Sequence, residues 1–476
     1  MLLSSFKNSL DTTDLLTHLR SDLIGEGAMI PGTNREVPLV YADYVASGRA
    51  LRTVEDFIAS SVLPYYANSH TEASYCGGYM TRLRREARSE IGRITGSAKE
   101  CAVIFTGSGA TAGLNRLVNL LGVVDAINPV VFIGPYEHHS NILPWRESGA
   151  TVVEIPEDIN GGPDLEALEQ ALQTNAGADL KIGSFSAASN VTGILTDPDP
   201  VTRLLKTHGA RSVWDYAGAG PYVPISMKTG SDAAIDAVVV SPHKFPGGPA
   251  ASGVLILRES VCVQHRPSWP GGGTVSFVSP WDHAYSEDLA TREEAGTPNV
   301  IGDIRAALAF LVKEAVGEEK IAETECEYNA MAQDGWGDNP QLTMLGADKS
   351  HRLPIYSFLV RDADGSPIHQ QLFTRMLSDI YGIQARGGCA CAGPYAHRLL
   401  DIDQTKSEAL FADLQAGREL QKPGWVRLNF SYLMSPEKVQ FIIDSVNELT
   451  RTAAKMAPSY VVDHATARFK PMVAAE

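Results

Sequence analysis

The stretch from Ala234 to Arg258, AIDAVVVSPHKFPGGPAASGVLILR, decides how the chain is read. Two runs dominated by branched apolar residues flank Ser-Pro-His-Lys and a Phe-Pro-Gly-Gly turn. Short apolar runs bounded by Pro and Gly read as buried strands. Lys244 therefore sits just past a strand end, in a turn fixed by its prolines and glycines. A lysine there can be an ordinary surface residue. It can equally be an amine with a lowered pKa, held to form a Schiff base with an aldehyde.

Working outward, the same texture repeats from about residue 100. CAVIF, PVVFIG, TVVEIP, LKIGSFSA and RSVWDYA read as strands, alternating with helical patterns such as TAGLNRLVNLLG and PDLEALEQALQ, the latter with Asp164 placed to cap it. Continuous apolar strands alternating with helices predict an α/β fold with a mostly parallel sheet covered on both faces. Ligands of such sheets gather beyond the carboxyl ends of the strands. After about residue 300 the pattern changes to a smaller α+β domain. The expected organisation is an N-terminal segment (1–37), a large domain (38–300), a small domain (301–455) and a weakly patterned tail (456–476).

With 476 residues, 44% hydrophobic and 20% charged, the chain has the make-up of a globular enzyme. A net charge of −16 offers no basic run for a nucleic-acid backbone. Six scattered cysteines fit a reducing compartment. The first twenty residues lack the apolar core and cleavage site of a secretory signal, and no apolar run reaches the roughly 18 residues of a membrane span. The expectation is a cytoplasmic protein with no nucleic-acid or membrane partner.

Four loops carry chemistry. FTGSGATAG (105–113) joins a strand to a helix, and its small residues let backbone N–H groups approach a phosphate. Gly107, Gly109 and Ala112 also satisfy GxGxxA, the fingerprint of a nicotinamide dehydrogenase, but no acidic residue ends the next strand. PYEHHSNILPW (135–145) places His138 and His139 together. They lack a third ligand at zinc spacing, and an imidazole could instead stack on a flat cofactor. VWDYAGAG (213–220) ends a strand on Asp215, a buried carboxylate that needs a cationic partner, either an arginine or a protonated pyridine nitrogen. SPHK (241–244) supplies the amine. Phosphate cup, ring cover, acid and amine in that order meet the needs of pyridoxal 5′-phosphate.

These motifs resemble the class V, fold-type I pyridoxal-phosphate enzymes of the cysteine desulfurase and selenocysteine lyase branch. YADYVASGRA (41–50), EHHSNILPW (137–145), SAASNVTG (186–193), SPHK (241–244) and EAGTPN (294–299) carry the resemblance, which spans about residues 38–450. It implies that Lys244 holds the cofactor, His138 stacks on its ring and Asp215 pairs with the pyridine nitrogen. Asn190 would lie near the ring hydroxyl and the substrate. Thr111, Ser241 and His243, with Gly109 in the same cup, would hold the phosphate, and Thr297 would complete the cup from a second subunit of a homodimer. In ARGGCACAGPYAH (385–397), Arg386, Cys391 and Pro394 keep the branch's spacing, so Cys391 would take sulfur from L-cysteine as a persulfide for an acceptor protein. Arg427 in WVRLNFSY would clamp the substrate carboxylate, and Arg386 is a further substrate-binding candidate. No metal is expected; Cys389 and Cys391 lack the second close pair of a zinc site. The chain departs from the branch at Gly218, where a glutamine usually binds the ring hydroxyl, and in the added segment 401–420. The resemblance also leaves open a transaminase, epimerase or C–S/β-lyase on a small L-amino acid. A sulfur-relay or cofactor-binding scaffold without turnover is the non-enzymatic alternative.

Overall fold

The computed structural model describes residues 2–69, 71–97 and 99–472. The chain divides into two compact units. The first runs up to Ile24 and includes Ser47–Ala188 and Leu195–Glu319. The second comprises Gly25–Ala46, Ser189–Ile194 and the chain from Lys320 onward.

The first unit holds a seven-stranded sheet: β1 (Cys101–Gly107), β2 (Pro129–Ile133), β3 (Thr151–Glu154), β4 (Leu180–Ser186), β5 (Arg211–Asp215), β6 (Ala237–Val240) and β7 (Gly253–Arg258). Their spatial order is β1-β7-β6-β5-β4-β2-β3. Only β7 runs antiparallel to its neighbours, β1 and β6. The apolar character of β2, β6 and most of β4 and β5 follows from burial on both faces. Helix Gly109–Leu120 packs Leu114, Leu117 and Leu120 into the core with Val131, Val239 and Leu255. The α/β expectation, a mostly parallel sheet between helices, is borne out.

The loop after β6 is locked by close packing. A Cβ on Gly248 would lie 1.9 Å from the Pro242 carbonyl oxygen, and one on Gly48 would lie 1.9 Å from that of Phe245. Phe245, fully buried, stacks on Phe310 with ring centroids 5.1 Å apart. Glycine at 248 is thus what lets this turn close on itself.

The second unit is built on an antiparallel sheet whose main path is β8 (Leu342–Met344), β9 (Ile355–Arg361), β11 (Trp425–Asn429) and β10 (Arg386–Gly388). Its core gathers Tyr356, Phe358, Phe373, Phe430 and Ile442. Helix Pro436–Met456 turns one apolar face to that core. The tail that the sequence left weakly patterned forms a hairpin, Tyr460–Asp463 against Arg468–Pro471. The 401–420 segment contains an exposed helix, Gln404–Gln415, capped by Asp403. Among the described residues no helix is long and apolar enough to cross a membrane.

Candidate active site

The carboxyl ends of the parallel strands in the first unit collect one set of polar side chains. Lys244 ends a single helical turn, Pro242–Lys244, directly after β6. Asp215 is the last residue of β5 and is buried; one carboxylate oxygen accepts the Ala217 N–H at 2.7 Å. Burial pushes its pKa up, and the backbone bond and the Lys244 charge oppose that rise. His243 is pushed down to about 4 by burial and by Lys244, so its imidazole is neutral at pH 7.

The cup is assembled around Gly109, whose φ of +60° suits glycine. A Cβ there would lie 2.9 Å from Ser241 Oγ and 3.0 Å from the His243 ring. Ser241 Oγ accepts the Ala110 N–H at 2.9 Å, tying β6 to the start of the helix. Thr111 Oγ1 and Ser140 Oγ lie 2.7 Å apart, and Ser140 Oγ is 3.1 Å from His138 Nδ1. The Ser140 N–H donates to the same Nδ1 at 3.1 Å, which leaves the proton of a neutral ring on Nε2. Cup and ring cover are therefore one connected group, with Ser140 as a link the sequence did not single out.

A second residue missed by sequence reasoning is Glu137. It is fully enclosed, accepting from Ser186 N–H at 2.8 Å, from Ser186 Oγ and from Asn141 Nδ2 at 2.6 Å. Asn141 Oδ1 in turn accepts from Trp145 and Ser184. Burial, with a contribution from Asp215, pushes the Glu137 carboxyl up to about 7. Its signal lay in EHHSN, where attention went to the histidines. Thr297 is exposed, on the loop between helices Leu289–Glu293 and Val300–Val316. The neighbouring Glu294 instead pairs with Arg84 and Arg88 and accepts the Phe105 N–H at 2.7 Å, bracing β1. Gly218 offers no side chain to a ring hydroxyl.

The second unit carries the other predicted residues. Strand pairing sets Arg386 on β10 directly opposite Arg427 on β11. Asp43 lies between them: its Oδ1 accepts from Arg427 NH2 at 2.9 Å and its Oδ2 from Arg386 Nε at 3.0 Å and NH2 at 2.9 Å. Arg427 is buried, which works against its charge, while Asp43 supports it. Arg427 NH1 donates to the Asn190 carbonyl at 3.0 Å. Asn190 Nδ2 donates to the Ala390 carbonyl at 2.8 Å, which ties it to the cysteine loop. The buried Asn190 Oδ1 and Arg427 Nε have no partner.

Cys391 is exposed and Cys389 half-buried, both as free thiols. Ala390 and Cys391 have φ of +52° and +56°, and Ala392 N–H donates to the Cys389 carbonyl at 3.2 Å. That is a tight turn with two left-handed central residues, a form that ordinarily takes Asn-Gly. Holding alanine and cysteine there costs on the order of 1–2 kcal/mol each. Such stored strain is characteristic of functional loops.

The profile of the family described as Aminotransferase class-V matches residues 40–440. The chain belongs to that family. It is a pyridoxal 5′-phosphate-dependent enzyme. A probable cysteine desulfurase of Halalkalibacterium halodurans is 27% identical over 391 residues, covering 80% of this chain and 92% of the relative. One of Staphylococcus aureus is 26% identical over 378 residues, covering 78% and 87%. The apo cysteine desulfurase of Thermococcus onnurineus superposes with a TM-score of 0.74 at 24% identity, covering 91% of this chain and 98% of that one. The S-sulfonic acid form of the cysteine desulfurase CsdA from Escherichia coli gives 0.70 at 20% identity, covering 91% and 98%. These structures share the fold-type I architecture.

The residues present fit the cofactor. The cup at Gly109 has no room for a Cβ, and a buried carboxylate waits at a strand end with a lysine charge acting on it. A pyridinium nitrogen would meet the need of Asp215, and a phosphate would meet the N–H groups that open helix Gly109–Leu120.

Proposed function

We propose that the enzyme removes sulfur from L-cysteine, leaving alanine and a persulfide on Cys391, and passes that sulfur to an acceptor protein. The observation that carries this reading is the Cys391 turn: an exposed thiol at a strained position, pinned through Asn190 and five residues beyond Arg386. The names of the relatives point the same way. Six free cysteines suit a reducing cytoplasm, and the resemblance implies a homodimer.

When bound, pyridoxal phosphate supplies an electron sink for bonds at the substrate's α-carbon and β-carbon. Lys244 would hold the cofactor and would move a proton at the substrate's α-carbon. Asp215 keeps the pyridine nitrogen protonated, and the neutral His243 and Ser241 hold the phosphate side. His138, with Nδ1 fixed by Ser140, would lay its ring over the cofactor. Arg427 orients the substrate carboxylate. The Cys391 thiolate then attacks the substrate sulfur: the S–S bond forms as the Cβ–S bond breaks, and Cβ gains a proton to give alanine.

Mass analysis after incubation with L-cysteine tests the proposal. Free alanine with a 32-Da gain on Cys391 is expected, and Cys391→Ser should lose both by at least about a hundredfold. Alanine production undiminished in that variant would overturn the assignment of Cys391.

A further inference from the structure

Arg386 and Arg427 stand directly opposite on neighbouring strands. Like charges in that relation repel, and Arg427 is buried, which aggravates the cost. Asp43 answers both, using one oxygen for each guanidinium. Its own position is set by backbone. The strand Val40–Tyr41 pairs in parallel with Ile383–Gln384, and Ala42 bonds onward to Gln384 and Asn429. Asn429 Oδ1 accepts the Val45 N–H at 3.0 Å, holding the far side of the loop. The carboxylate is thus built into the clamp rather than resting on it.

The clamp's donors are partly used. Arg427 NH2 serves Asp43 and NH1 serves the Asn190 carbonyl, while the buried Nε–H has no partner. Two cations and one anion leave a single positive charge for a ligand. We propose that Asp43 is a specificity-determining residue: it sets the clamp's charge at one, so that the site takes an amino acid with a single carboxylate and disfavours dicarboxylates. Removing Asp43 would leave two facing cations, a site matched to a dianion. This rests on reading Arg427 as the carboxylate clamp.

Ligand-detected NMR on the pyridoxal-phosphate-loaded protein tests the inference with propionate and succinate, which carry no amine and cannot be turned over. In the wild type, succinate should bind no tighter than propionate. In Asp43→Asn, the succinate-to-propionate affinity ratio should rise by about tenfold or more, the effect of one unscreened charge at close range. The double variant Asp43→Asn with Arg386→Gln should return the ratio to the wild-type value. A folded Asp43→Asn protein with an unchanged ratio would overturn the inference, as would a double variant that keeps the raised ratio. Should Asp43→Asn fail to fold, Arg386→Gln alone decides. It leaves the clamp neutral, so propionate affinity should fall about tenfold, and an unchanged affinity rejects the idea. These affinities do not depend on desulfuration, so absence of alanine or of a persulfide would leave them unaltered.

Discussion

At the scale of single residues, Asp215 and Glu137 are among the carboxylates the first unit keeps out of water, and it treats these two differently. Asp215 has one backbone donor and the field of Lys244; Glu137 has three donors and no cation among its influences. Glu137 therefore holds its proton up to about pH 7, whereas an exposed glutamate releases it near 4.5. Between those values the folded state binds more protons than the unfolded one, so the Glu137 contribution to stability falls as pH rises through the window. In the cofactor-free protein, Glu137→Gln removes that dependence. The melting temperature of the variant relative to wild type should improve from pH 4.5 to about 7 and level off above it, as read by calorimetry. A difference that stays flat with pH would mean Glu137 is ionised throughout.

At the scale of elements, two turns place the chemistry, and they work by opposite means. In the Lys244 turn glycine stands at 248, where a Cβ would collide with backbone. Gly248→Ala would force a Cβ against a backbone oxygen that cannot move aside, and a loss of about 2–4 kcal/mol is expected from urea unfolding. The Cys391 turn has alanine and cysteine where glycine would be comfortable, held by the Asn190 bond and the Cys389–Ala392 bond. Ala390→Gly relieves the left-handed cost and gives back some chain entropy, so stability should change by less than about 1 kcal/mol, toward stabilisation. The same variant should slow sulfur transfer, because the thiol's direction is no longer fixed. Unaltered turnover would show that the strain has no part in the reaction.

At the scale of the whole molecule, the first unit exposes a hairpin, Val275–Val278 paired with His283–Tyr285. It carries Phe277, Val278 and Trp281, the last 90% exposed. Apolar side chains clustered at a hairpin tip offer a surface on which the proposed homodimer can be tested. For the proposed homodimer, light scattering should give twice the 51.2 kDa chain mass. Trp281→Glu should shift the protein toward monomer, and a Trp281→Glu protein that stays dimeric would place the dimer contact elsewhere.

The chain's periodicity determined the α/β architecture by itself. Alternating buried strands and helices leave a local signature, as β2, β4, β5 and β6 illustrate, and SPHK, VWDY and EHHSN each lie within a few residues of a strand end. The tertiary structure alone decided which side chains share hydrogen bonds. Asp43 and Arg427 are 384 positions apart, and Glu137 reaches Ser186 across 49. Contacts of that kind arise from sheet register and have no periodicity to betray them. The hairpin at Tyr460–Pro471 escaped notice for a related reason: its short strands carry little alternation, and pairing rather than propensity makes them strands. The strain at Ala390 and Cys391 was likewise invisible, since no sequence rule places non-glycine residues in two consecutive left-handed positions; only the surrounding bonds hold them there.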